Sequence, residues 1–159
     1  LAAVLAVATS IDALAVGVTF SMVELSVSPG TGKVNLLSHK TWLECGTQLV
    51  PELVSGQIQG GVAMGIGHAL YEDLPLHETG PGNGQWNLNR YHVPRASEVA
   101  VWKAEGVVLP PLSRTDPPKG MAEVVMIPVV AACANAVAHA TGKRFYAPPL
   151  TPEKIREVL

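Results

Sequence analysis

The sequence predicts an α+β domain over residues 22–159, preceded by one hydrophobic helix over residues 1–21. Three observations carry this. Residues 23–28 alternate apolar and polar side chains at strand period before a Pro-Gly turn and a second apolar-rich stretch over residues 33–42, residues 128–141 form an alanine-rich run framed by Pro128 and Gly142, and residues 1–22 hold a single charge, Asp12. Strand and helix periods in one chain of 159 residues point to helices packed on a sheet, and that length supports one domain with a real core.

The elements follow in order. A stretch of about 20 apolar residues suffices to cross a bilayer, so residues 1–21 read as a membrane-type helix. No basic leader region or cleavage site accompanies it, which argues against a secretory signal. An ionisable residue in lipid is costly and usually functional, which singles out Asp12. The same stretch also reads as a buried core helix with Asp12 turned to a polar partner. Val23, Leu25 and Val27 then alternate with Glu24, Ser26 and Ser28. Pro29, Gly30, Thr31 and Gly32 make a turn, and residues 33–42 supply a second strand, giving a β-hairpin. Glu44, Cys45 and Gly46 break the pattern.

Pro51 and Glu52 suit a helix start, and the helix continues through Gln57 to Tyr71. It carries Gly56, Gly60, Gly61, Gly65 and Gly67. An interior glycine costs about 1 kcal/mol of helix stability against alanine, so a neighbouring helix or a ligand is expected close to this backbone. Residues 74–85 form a loop by composition, residues 98–108 read as one or two strands, and residues 110–120 are an irregular Pro-rich loop that leads into Met121, Ala122 and Glu123. Residues 128–141 are the clearest helix, with Pro128 suited to its first position and Gly142 to the residue after its last turn. Thr151, Pro152 and Glu153 read as the cap and acidic first turn of a short terminal helix. The chain opens on leucine, which fits either a fragment or a chain whose start was removed.

Composition excludes several functions. Hydrophobic residues make up 48% and charged residues 15%, so the chain is not disordered. The net charge is −2 and no basic stripe stands out, which excludes nucleic acid as a partner. Cys45 and Cys133 are too few for a disulfide framework, and an iron–sulfur cluster needs about four cysteines. His39, His68, His77, His92 and His139 share no ligand spacing, so no metal held by protein side chains is expected. Neither a nucleophile elbow nor a phosphate-binding loop appears.

Two residues stand out chemically. The Gln57 amide both donates and accepts beside close-approach glycines, so it could bond the edge of a planar heterocycle; it also reads as a plain polar residue on a helix surface. Glu123 lies between a Pro/Gly loop and the apolar run from Val124 onward. A partly buried carboxylate there would have a raised pKa and serve as a general base; it also reads as an acidic residue helping to cap the helix that starts near Pro128.

Residues 23–159 resemble the C-terminal part of the molybdopterin-binding subunit of the xanthine dehydrogenase and aldehyde oxidase family. The resemblance rests on VELSVSPGTGKV, LECGTQLVPELVSGQIQGGVAMGIGHALYEDL, WNLNRYHVPRA, PPKGMAEVVMIPVVAACANAVAHATGKR and PLTPEKI, in that order. It implies a molybdenum–molybdopterin cofactor, in simple or dinucleotide form, without a direct protein ligand to the metal. It implies oxidative hydroxylation of an aldehyde or N-heterocycle with water-derived oxygen. Glu123 falls on the family's catalytic base, and Gln57, with Gly56, Gly60 and Gly120, falls on its cofactor-contacting positions. Ala122 stands where the family often has glycine. Implied partners are the upstream half of the subunit and an iron–sulfur or haem electron-transfer subunit, and this piece alone is expected to be inactive. A cytoplasmic or periplasmic location is expected for residues 22–159.

Residues 1–21 do not fit that family. AVATSIDALAVGVTF resembles instead a membrane helix of bacterial manganese exporters, in which Asp12 would serve metal transport. The competing reading is therefore a membrane-associated export segment joined near Met22 to a non-catalytic remnant.

Overall fold

The computed structural model describes residues 4–14, 17–74, 87 and 89–159. Its strands β1 (Val4–Leu14), β2 (Gly17–Val27), β3 (Val34–Glu44) and β4 (Ala104–Val108) form one sheet in sequential order. β2 runs antiparallel to β1 and β3, and β4 lies parallel to β3. The helices are α1 (Pro51–Leu70), α2 (Ala96–Val99), α3 (Met126–Thr141) and α4 (Pro152–Arg156). A parallel neighbour needs a crossover, and the connection from β3 to β4 carries α1 and α2. α3 lies against β1 and β2, and α1 packs on α3 and touches β4.

The β2–β3 hairpin is the one the alternation predicts. Val23, Leu25, Val27 and Leu43 are buried on the helix-facing side. Its loop closes with Ser28 N donating to Lys33 O at 2.9 Å and Gly32 N donating to Ser28 O at 2.8 Å. Gly32 has φ +70°, and a Cβ there would fall 2.1 Å from Pro152 O, so both conformation and space demand glycine. The opposite side of the sheet is half-exposed and polar-aromatic: Phe20 packs on Trp42, and Lys40 bridges to Glu105 at 3.4 Å.

The helix–helix contact explains part of the glycine content of α1. A Cβ on Gly61 would lie 2.8 Å from Val125 Cβ, and one on Gly65 would lie 2.6 Å from Val129 Cβ. α3 thus sits directly on the α1 backbone, with Val129, Ala132, Cys133, Ala136 and Val137 filling the core. Gly142 ends α3 in the left-handed conformation at φ 71°. Thr151 caps α4 by accepting from Lys154 N.

Several sequence expectations are corrected. The described residues do not form the hydrophobic helix predicted over residues 1–21: residues 4–14 and 17–27 are the strands β1 and β2, paired along their whole length. Apolar composition alone cannot separate a buried strand from a buried helix. Val4, Val7, Thr9, Ile11, Val18 and Thr19 are β-branched residues that favour a pleated surface. Asp12 falls opposite Thr19 in β1, not in a membrane helix, and no helix among the described residues is long and apolar enough to cross a membrane. β2 continues unbroken through Met22. The strand expected from residue 98 begins at Ala104, because Ala96–Val99 is a helical turn closed by Arg95 N donating to Glu98 Oε2 at 2.8 Å. α3 starts at Met126, so Pro128 occupies its third position rather than its first. The loop expected over residues 74–85, with His77, lies outside the described residues apart from residue 74.

Candidate functional site

The two predicted site regions meet at the N-terminal half of α1. Residues 109–123 run from the end of β4 back across the end of β3 and onto α1, and a series of hydrogen bonds holds them there. Leu109 N donates to Leu43 O at 2.7 Å, Thr47 Oγ1 donates to Asp116 O at 2.6 Å, and Lys119 N donates to Cys45 O at 2.9 Å. Gly46, at φ +65°, passes so close to the segment that a Cβ would lie 2.1 Å from Pro117 O. Farther along, Gln57 Nε2 donates to the carbonyls of Met121 and Ala122.

One ion pair fastens this arrangement. Lys119 Nζ lies 2.6 Å from Glu44 Oε2, and Glu44 Oε1 accepts from Gly46 N at 2.8 Å. Glu44 is 5% exposed. Its hydrogen bond holds the Lys119 ammonium above the usual lysine range. Burial, and then the Glu44 charge, push the neighbouring Cys45 thiol up, with Lys119 acting against them.

Between these elements lies a cleft of about 420 Å³ lined by Cys45, Leu49, Leu53, Gln57, Lys119 and Ala122, among others. Its lining is largely apolar with a few polar groups, the usual character of a small-molecule site. Gln57 is exposed and lines it. Gly56 and Gly60 are exposed one turn apart on α1, and a Cβ on either would meet nothing within 4 Å. The α1 glycines therefore divide: Gly61 and Gly65 admit α3, whereas Gly56 and Gly60 present bare backbone to open space. Gly120 is exposed between Lys119 and Met121.

Glu123 directly follows the residue that Gln57 grips. It is exposed rather than partly buried as expected. Its carbonyl accepts from Met126 N at 2.9 Å, which places it in the turn that leads into α3. No side chain caps that helix, so the capping alternative has no hydrogen bond behind it. Among the described residues no cluster of His, Cys, Asp and Glu could hold a metal ion.

Sequence reading missed Glu44, Cys45 and Lys119 as members of this site. Their signals were present: an acid, a cysteine and a glycine end the second hairpin strand, and a lysine precedes Gly120. A second cluster, at the other end of α1, was also missed. Tyr71 stacks on His92 with ring centroids 5.0 Å apart, His92 Nε2 lies 3.4 Å from Glu98 Oε2, and Tyr91 donates to Glu72. Gly67 leaves the space that Glu72 and Pro94 use. This cluster fastens residues 89–99 to the C-terminal end of α1.

Comparison with known proteins adds to this geometry. A family model described as a molybdopterin cofactor-binding domain matches residues 8–100. The chain is 32% identical over 149 residues to the putative xanthine dehydrogenase molybdenum-binding subunit XdhA of Escherichia coli (strain K12), covering 94% of this chain and 20% of that protein. It is 32% identical over 134 residues to the nicotine 6-hydroxylase large subunit of Paenarthrobacter nicotinovorans, covering 82% of this chain and 16% of that protein. The structure matches aldehyde oxidoreductase from Desulfovibrio gigas with a TM-score of 0.77 at 28% identity, over 89% of this chain and 15% of that one. It matches quinoline 2-oxidoreductase from Pseudomonas putida 86 with a TM-score of 0.75 at 27% identity, over 89% of this chain and 18% of that one. The chain thus spans at most 20% of the length of these relatives.

Proposed function

This chain belongs to the molybdopterin cofactor-binding domain family, of the xanthine dehydrogenase and aldehyde oxidoreductase type, and from that premise we propose that it forms one wall of a hydroxylase active site with Glu123 as the general base. The observation that carries the proposal is the bond from Gln57 Nε2 to Ala122 O. It sets a cofactor-side amide and the segment that ends in Glu123 against each other, although the two are far apart in the chain.

The residues fit the molybdenum–molybdopterin group. Gly56 and Gly60 leave α1 backbone open to a flat ligand, and Leu53 and Gln57 of the same helix line the apolar cleft. Gln57, with Nε2 engaged by the loop, keeps Oε1 as an acceptor for a ring N–H. Gly120 is exposed next to Lys119, which lines the cleft. When bound, the group supplies the two-electron redox chemistry.

The chain's own residues orient that group and move one proton. With the group bound to accept the carbon's hydrogen and its electron pair, the Glu123 carboxylate, in the turn before α3, would take the proton lost by the water-derived oxygen as it bonds to an electron-poor carbon of an aldehyde or N-heterocycle. The names of the relatives mark several as molybdenum-binding subunits. The upstream part of such a subunit would close the cleft from the other side, and an iron–sulfur or haem subunit would take the electrons away.

The test is Glu123→Gln in the complete subunit. Turnover should fall by about 10²- to 10⁴-fold, the usual contribution of a positioned base, with molybdenum content unchanged. Near-normal turnover would remove Glu123 from the role.

A further inference from the structure

We infer that Glu44 and Lys119 form a latch that positions residues 120–123, and that both are positioning residues for the base. The inference rests on the reading of Glu123 as that base. It starts from how few points hold the segment. Lys119 is fixed twice by consecutive residues at the end of β3: its backbone N donates to Cys45 O at 2.9 Å, and its Nζ lies 2.6 Å from Glu44 Oε2. The next three residues end at Ala122, gripped by Gln57. Glu123 follows, and its carbonyl accepts from Met126 N at the start of α3. The backbone of Glu123 is therefore set by three anchors: the latch, Gln57 and the first turn of α3.

The three anchors differ in rigidity. The Gln57 contact is an exposed side-chain bond, open to competition from water. The latch is different, because the Glu44 carboxylate is buried and both its oxygens are used, one by Gly46 N and one by Lys119. The pair is partly buried, and departure of Lys119 would leave one oxygen of the buried Glu44 carboxylate without its partner. The bond to Gly46 fixes the carboxylate itself, since Gly46 sits in a left-handed conformation with no room for a side chain beside Pro117. The strand end, the turn and the loop are thus one unit, and its only covalent continuation toward Glu123 is Gly120–Met121–Ala122. The flexible residue of that stretch, Gly120, follows directly on the anchored one, so the latch limits the swing that glycine would otherwise allow.

The test uses the complete holoenzyme with Glu44→Gln, which keeps an acceptor for Gly46 N but removes the charge that holds Lys119. Two readouts are taken: hydrogen exchange of the backbone amides at residues 119–123, and kcat and KM with molybdenum content. Exchange at Lys119 should rise at least about tenfold while α3 stays protected, and kcat should fall about 10- to 100-fold, the size expected when a reacting group is misplaced by about 1 Å. KM and molybdenum content should fall less than kcat, because Gly56, Gln57 and Gly60 on α1 are untouched while Gly120 and the loop after it loosen. Glu44→Asp, which keeps the charge, should recover most of the kcat. If Glu44→Gln does not yield folded holoenzyme, Lys119→Gln alters the more exposed partner and carries the same expectation. Unchanged exchange at residues 119–123 would overturn the latch. Faster exchange with unchanged kcat would overturn its positioning role. Either result is distinct from failure of the underlying reading, which Glu123→Gln tests alone.

Discussion

Gln57 and Ala122 stand 65 positions apart in the chain, yet the Gln57 amide donates to the Ala122 carbonyl and also reaches Met121 O at 3.4 Å. This bond joins the glycine-rich helix to the loop that ends in Glu123. An amide nitrogen is required on the helix side, because both loop partners are carbonyl acceptors.

Gln57→Glu should therefore damage the site more than Gln57→Ala. The carboxylate can only accept, so it would face two carbonyl oxygens without a donor. Gln57 is exposed, so stability should change by no more than about 1 kcal/mol in either variant. Molybdenum content and turnover of the complete subunit should fall in the order wild type, Ala, Glu. Equal loss in the two variants would show that the loop contact is incidental.

The α1 glycines give a contrast that separates packing from ligand contact. Gly65→Ala places a Cβ 2.6 Å from Val129 Cβ and 2.9 Å from Met126 O. Overpacking of this kind costs about 1–3 kcal/mol, more than the gain in helix propensity of about 1 kcal/mol. Gly56→Ala and Gly60→Ala meet nothing within 4 Å, so each should stabilise the chain by about 1 kcal/mol in denaturant unfolding. The same two substitutions should lower molybdenum content in the complete subunit. A stabilised variant with full cofactor content would leave these glycines without a role at the site.

What the sequence made legible follows from how local each signal is. The alternation at Val23, Leu25 and Val27 is a period-2 pattern with one face buried, so the hairpin could be read directly. Gly142 and Thr151 mark helix ends through chemistry confined to a few neighbouring residues, and both were found in those roles. Residues 4–14 were misread because an apolar stretch does not state its period, and their partner strand is visible only once the sheet is formed. The Glu44–Lys119 pair was invisible for a different reason. Its members lie 75 positions apart, and an isolated acid at a strand end or a lysine in a Pro-rich loop is ordinarily a solvated charge. The expected burial of Glu123 failed because its apolar neighbours, Val124 and Val125, turn into the core while Glu123 stays on the outside of the same turn.

The two cysteines should differ in reactivity. Burial pushes the Cys133 thiol up to about 12 and leaves it no exposed surface, so almost no thiolate exists near neutral pH. Cys45 is also raised, but it lines the cleft. Iodoacetamide at pH 8 should alkylate Cys45 slowly and Cys133 only on unfolding, as read by peptide mass mapping. Equal labelling of both in the folded chain would contradict the packing of α3.

His39 should make the chain acid-sensitive. It sits on β3, 1% exposed, with Nδ1 3.4 Å from Thr41 Oγ1 and Nε2 without a hydrogen-bond partner among the described residues. Burial lowers its pKa from 6.5 to about 4, which keeps the folded imidazole neutral. The unfolded chain therefore binds a proton that the folded chain refuses, and stability rises with pH across this window. The contribution is fully present above pH 6.5, is lost progressively as pH falls, and levels off below about 4. From the size of the depression the total loss is about 3 kcal/mol. Urea unfolding at pH 7 and pH 4.5 should show most of it, and His39→Leu, which cannot be protonated, should flatten the difference in that interval. An unchanged pH dependence in His39→Leu would mean that the acid sensitivity comes from other groups and that His39 is solvated in the folded state.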